Sequence, residues 1–61
     1  TGTVVTERDA LNIRAYPALS GQVVGSVPPQ GQLTIYGRYD GWYSIGYGNL
    51  AGYVRSEFVQ I

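Results

Sequence analysis

The residues that could carry acid–base chemistry are few. Glu7 and Asp9 lie two positions apart, so on a strand their carboxylates would share a face. Hydrolases that use two carboxylates need a defined separation and a raised pKa on one of them, and nothing in the surrounding sequence indicates a cleft for that. The chain contains no His and no Cys, which excludes imidazole bases, thiol catalysis and ordinary zinc or iron sites. We therefore expect no catalysis, no metal and no cofactor.

Aromatic residues offer binding chemistry instead. Tyr16 and Tyr39 fall in predicted loops, where binding residues concentrate, and a tyrosine supplies apolar area and a hydroxyl with little rotamer entropy to lose. Trp42 is three residues before an apolar Ile45, which indicates that it lies on the outer face of its strand. Its ring is then either a flat surface for a peptide or sugar, or a cover that seals one end of the fold.

The charges narrow the possible partners. Four Arg and no Lys balance four carboxylates, giving a formal net charge of zero, so the basic footprint of a nucleic-acid-binding protein is missing. Arg55 follows a predicted strand and is placed to meet a ligand carboxylate, whereas Arg14 is expected to bond loop carbonyls or an acidic neighbour. No apolar run approaches the roughly 18 residues that span a bilayer.

The elements that position these residues are strands. Nine Gly and three Pro interrupt every window in which two helical turns could form. Asp40-Gly41 and Gly48-Asn49 are typical of hairpin turns, and 56–58 is predicted as one tight helical turn. Strand patterns occur at 3–6, 11–14, 23–27, 32–36, 42–47, 50–55 and 59–61.

The expected architecture is all-β. Five or six short strands in 61 residues favour a small, strongly twisted barrel, because closure removes sheet edges. The ten residues predicted to fill the core are Val4, Leu11, Ile13, Val24, Val27, Leu33, Ile35, Ile45, Val54 and Val59.

Several short motifs follow one another along nearly the whole chain, in an order and at a spacing that are typical of a known family. They are Leu11-Asn12-Ile13-Arg14, Pro17, Val23-Val24-Gly25, Gly31 with Leu33 and Ile35, Gly41-Trp42-Tyr43 with Ile45, and Gly52-Tyr53-Val54 with Phe58. Together they resemble the bacterial Src homology 3 (SH3) domain family. The resemblance implies one SH3-like barrel over 1–61, part of a longer envelope or secreted protein and monomeric in isolation.

The resemblance also implies a function. Members occur beside cell-wall amidases and peptidases, and some bind the stem or bridge peptides of peptidoglycan. On this hypothesis the ligand-binding residues are Tyr16, Tyr39, Trp42 and Arg55, with Tyr53 and Phe58 as secondary candidates. The alternative is a structural domain that docks on a neighbouring domain of its parent chain, such as a cell-wall hydrolase.

A third hypothesis is a proline-rich peptide binder, since 40–43 and 52–58 also resemble the closing strands of eukaryotic SH3 domains. Two positions argue against it. Arg55 stands where those domains place a groove proline, and Phe58 where they place a tyrosine. Flat aromatic ridges are needed to bind a polyproline helix.

Overall fold

Strands make up most of the computed structural model, which describes residues 2–6 and 9–61. Glu7, half of the carboxylate pair considered above, lies outside the described residues. The all-β prediction is confirmed, with seven short strands rather than five or six. These are β1 (Gly2–Val4), β2 (Leu11–Arg14), β3 (Val23–Val27), β4 (Gln32–Tyr39), β5 (Trp42–Tyr47), β6 (Leu50–Arg55) and β7 (Val59–Gln60), with a 3-10 helical turn at Ser56–Phe58.

All strands pair antiparallel, in the order β3-β2-β6-β5-β4-β1-β7. A flat sheet of seven strands would be about 29 Å wide, whereas the Cα extents of the molecule are 23 × 22 × 19 Å. The sheet is therefore strongly curled around its core. Among the described residues, β3 and β7 are its two edges, so the expected barrel is not closed by hydrogen bonds.

The core lies inside this curl. Eight of the ten predicted core residues form one buried cluster: Val4, Leu11, Ile13, Val27, Leu33, Ile45, Val54 and Val59. Ile35 is partly buried and packs against them. The prediction for Val24 was wrong: it is 41% exposed. The β2–β3 register pairs Ile13 with Gly25 and Arg14 with Val23, so Val24 is the extra residue of a bulge and does not face the core.

Two hairpins bring β4, β5 and β6 together. Asp40-Gly41 joins β4 to β5, with Tyr39 opposite Trp42, and Gly41 has φ +79°. Gly48-Asn49 joins β5 to β6, and Gly48 has φ +59°. Both glycines occupy the left-handed region that other residues rarely adopt, which confirms the predicted hairpin turns.

Candidate binding site

One pocket opens on the outer side of the curled sheet, with a volume of about 560 Å³. Its walls come from the described residues between β1 and β2, from β2 and the loop after it, from the start of β5, the end of β6 and the helical turn. Apolar side chains dominate the lining, with one acidic and two basic residues beside them: Val5, Leu19, Trp42, Phe58, Asp9, Arg14 and Arg55. A pocket of this size and lining suits a small ligand or a short peptide.

Trp42 and Arg55 form the centre of this pocket. The two residues are opposite each other in the β5–β6 ladder, so their side chains share the outer face. The guanidinium carbon of Arg55 lies 5.5 Å from the centroid of the Trp42 ring, within the range of a cation–π interaction.

The structure favours a covering role for Trp42 over an open binding surface. The register places it on the outer face of β5, away from the buried Ile45, and it does not belong to the main core cluster. However, only 7% of its surface is exposed, because the guanidinium of Arg55 and the other pocket walls cover it. The ring therefore supports the pocket as a packed wall and not as an open platform.

Only some of the hydrogen-bond donors of the Arg55 guanidinium have partners among the described residues. Its Nη2 lies 2.9 Å from Oε1 of Glu57 on the helical turn. Its Nε is buried and has no hydrogen-bond partner among the described residues. A buried N–H without a partner is unfavourable, so a shift of the guanidinium that brings Nε to an acceptor is favoured.

Arg14 fixes a wall of the pocket. Its Nη1 donates to the carbonyl oxygens of Leu19, at 3.0 Å, and Gly21, at 2.9 Å. This confirms the loop-carbonyl role expected for Arg14. The bonds hold the loop that carries Leu19 against β2.

The described residues contain no group of three or more acidic side chains that could hold a metal ion. None of them lies in a helix with the length and apolarity needed to cross a bilayer.

Comparison with known proteins assigns the family. The family model described as "Bacterial SH3 domain" matches residues 9–60. The chain belongs to the bacterial SH3 domain family. It is also 33% identical, over 57 residues, to the putative N-acetylmuramoyl-L-alanine amidase YrvJ of Bacillus subtilis (strain 168). That match covers 93% of this chain and 11% of the amidase, so the chain spans about a ninth of that protein.

This bacterial SH3 domain brings together half of the six candidate ligand residues. Trp42, Arg55 and Phe58 line the pocket, whereas Tyr16, Tyr39 and Tyr53 do not. Tyr16 is 66% exposed on the loop after β2. Sequence reasoning missed Leu19 and Arg14 as pocket residues, although Asn12 and Arg14 alternate with buried Leu11 and Ile13 and so had to face outward.

Tyr39 and Tyr53 form a pair outside the pocket of the SH3 domain. Tyr39 was expected in a loop, but it is the last residue of β4, because the strand continues to the Asp40-Gly41 turn. The two rings meet edge to face, with centroids 5.5 Å apart and an interplanar angle of 70°. The pKa of Tyr53 is raised from its ordinary value of 10.0, first by the neighbouring Tyr39 charge, then by a hydrogen bond to Tyr39 and by desolvation.

Replacing Tyr39 by Phe should lower the pKa of Tyr53 toward its ordinary value, because both main causes of the shift are removed. A raised folded-state pKa stabilises the fold below the unfolded-state pKa, near pH 10, and this contribution is lost as pH rises through the folded-state value. The Tyr39→Phe variant should therefore lose less stability than the parent above about pH 10. A residue-resolved NMR titration of the Tyr53 ring and unfolding curves at alkaline pH measure both effects, and an unchanged Tyr53 titration would contradict the assignment.

Proposed function

We propose that this bacterial SH3 domain is a non-catalytic binding module of a cell-envelope or secreted protein, and that its pocket binds the peptides of peptidoglycan. The observation that carries the proposal is the pocket, in which Arg55 rests on Trp42 beside apolar walls. Similarity to a cell-wall amidase over one ninth of that protein supports a role as one domain of a longer envelope protein.

The chemistry of the pocket favours a peptide that carries a carboxylate. Arginine binds carboxylates through two parallel N–H donors. In Arg55 the buried Nε has no partner among the described residues, while Nη2 is held by Glu57. A ligand carboxylate would compete with Glu57 for Nη2, and it would accept from Nε once the guanidinium shifts toward the ligand. Leu19 and Phe58 would contact the apolar part of the peptide.

The residues Arg55 and Glu57 should therefore have opposite effects on peptide affinity. We expect Arg55→Gln to weaken binding of a soluble stem tetrapeptide about tenfold, the loss of one charged hydrogen bond. Glu57→Gln should strengthen it, because a competing carboxylate is removed from Arg55. The stability of Glu57→Gln should hardly change, since exposed ion pairs contribute about 0–1 kcal/mol. An amide-shift titration of the isotope-labelled domain measures both affinities and locates the site.

Arg38→Gln is the matched control, because Arg38 is an exposed arginine that does not line the pocket. Its peptide affinity should equal that of the parent. If Arg38→Gln lost as much affinity as Arg55→Gln, the effect would be one of net charge and the assignment of Arg55 would fail. Amide shifts that avoid Trp42, Arg55 and Phe58 would also overturn the proposed site.

One observation favours the alternative of a domain that docks on its neighbour in the parent chain. The edge strand β3 presents Val23 and Val24 to solvent, and exposed edges readily accept another chain. On this alternative the pocket has no free ligand. A titration in which no pocket amide moves at millimolar peptide would favour docking over peptide binding.

A further inference from the structure

A second surface lies beside the pocket on the outer side of β4, β5 and β6. We name it the tyrosine face, and it consists of Tyr36, Tyr39, Tyr53, Ser44, Gly46 and Ala51. Ser44 is opposite Tyr53, and Gly46 is opposite Ala51, so these side chains share one face. The alternate residue Ile45 is fully buried on the other face. The tyrosine face is therefore the solvent side of this part of the sheet.

A bulge in β4 places Tyr36 on this face. The β4–β5 register shifts between Ile35 and Gly37, so Tyr36 is the extra residue of the bulge, and bulges re-aim side chains. The hydroxyl end of its ring covers Gly46: Oη would lie 2.7 Å from a Cβ built on that glycine. Even so, Tyr36 is 69% exposed, which leaves most of its ring area available.

The tyrosine face presents aromatic rings and hydroxyls from the strands on both sides of β5. Tyr36 and Tyr39 come from β4 and Tyr53 from β6, while the short Ser44 and Gly46 lie on β5 between those strands. Tyr39 is 53% exposed and meets Tyr53 edge to face. The exposed rings thus border a strip of small residues.

The face carries no charge of its own. The charged residues of these three strands are Arg38 and Arg55. Arg38 is opposite Tyr43, which is in turn opposite the buried Val54, so Arg38 belongs to the other face of the sheet. Arg55 belongs to the pocket. An uncharged surface of tyrosine rings and hydroxyls complements a neutral, polyhydroxylated chain, whose sugar rings stack on aromatic faces while their hydroxyls form hydrogen bonds.

The face is continuous with the pocket. Tyr53 is opposite Arg14 of β2, and Arg14 lines the pocket. We propose that the tyrosine face binds the neutral N-acetylhexosamine chain of the cell wall. This inference rests on the proposed function, in which the adjacent pocket takes the peptide attached to that chain.

The test is an amide-shift titration of the labelled domain with the tetrasaccharide of N-acetylglucosamine, which carries no peptide and no carboxylate. We expect shifts at Ser44, Gly46, Ala51 and Tyr53 at millimolar sugar. Tyr36→Ala should weaken binding about tenfold, whereas Tyr36→Phe should retain most of it, because stacking needs the ring. Ala51→Arg, which places a bulky charge on the face, should weaken binding as well, and Arg38→Gln should leave it unchanged.

Three outcomes would overturn the inference: no shifts with the tetrasaccharide, shifts confined to the pocket, or equal losses for Tyr36→Phe and Tyr36→Ala. The titration with the stem peptide tests the peptide pocket independently of the tyrosine face. Peptide shifts without tetrasaccharide shifts would remove only the glycan surface. Tetrasaccharide shifts without peptide shifts would remove only the peptide pocket.

Discussion

Trp42→Ala should lower the free energy of unfolding by about 3–5 kcal/mol, the usual cost of truncating a buried aromatic side chain. A domain of 61 residues has a total stability of about 3–9 kcal/mol. The substitution therefore removes a large share of the stability, and at the lower end of that range the variant is unfolded at room temperature. The physical reason is that the ring is 7% exposed and carries the Arg55 guanidinium over its face, so truncation leaves a cavity and an unsupported cation.

Urea unfolding measures this effect, followed by the circular dichroism of the backbone because the variant lacks the only tryptophan. Tyr16→Ala is the control, because Tyr16 is an exposed aromatic on a loop, and its change should stay within about 0.5 kcal/mol. A Trp42→Ala variant as stable as the control would show that Trp42 does not support the pocket by packing. The expected destabilisation also means that lost binding in this variant cannot be assigned to a lost contact, which is why Arg55 and Glu57 carry the binding test.

Gly52→Ala should also destabilise the fold. An ideal Cβ at this position would lie 2.6 Å from the Arg14 carbonyl oxygen and 2.6 Å from Cγ2 of buried Ile13. The first of these atoms belongs to the backbone of β2, which cannot move without breaking its pairing with β6. Overpacking of this kind costs about 1–3 kcal/mol or more. Because β2 also carries Arg14, we expect the pocket loop to lose its anchoring bonds as well.

Gly37→Ala is a matched control for this prediction. Gly37 is also a strand glycine, but a Cβ there would meet no atom within 4 Å. Its stability should be unchanged or raised by about 0.5 kcal/mol, because alanine reduces the entropy of the unfolded chain. The comparison uses urea midpoints of the two variants. Equal losses at both glycines would show that strand propensity, and not the approach of β2 to β6, sets the cost.

Local patterns predicted most of the strands, because each depends on short-range chemistry. The bounds of β2, β3, β5, β6 and the helical turn agree with the expected ones. In contrast, β4 was expected to end at Tyr36 but continues to Tyr39. The sequence at Gly37 and Arg38 did not indicate that the strand continues, since glycine is unfavourable in a strand and the bulge breaks the alternation of side chains.

Burial was harder to predict, because alternation identifies a face and not what covers that face. Val24 has the apolar character of a core residue, yet it lies on an edge strand and is exposed. Trp42 lies on the outer face as expected, yet Arg55 covers it. The exposure of Val24 depends on the β2–β3 register, and the burial of Trp42 depends on a side chain of the next strand. Alternation within one strand encodes neither.

The same reasoning applies to the candidate site. Trp42, Arg55 and Phe58 meet at one pocket, because the β5–β6 register and the helical turn follow from adjacent sequence. The sequence predicted that Arg14 bonds loop carbonyls, but it did not predict that this bond would bring Leu19 to the pocket. Ligand contact by Tyr16 stays a prediction.

The pairing of the terminal strands has a consequence for connectivity. Thr3 is opposite Gln60, and Val4 is opposite Val59, in an antiparallel ladder. The chain therefore enters and leaves this fold side by side, at the same end of neighbouring strands. Such an arrangement is compatible with circular permutation and with insertion into a loop of a host protein. A connection to another domain at the ends of β1 and β7 would therefore not displace the strands that form the pocket.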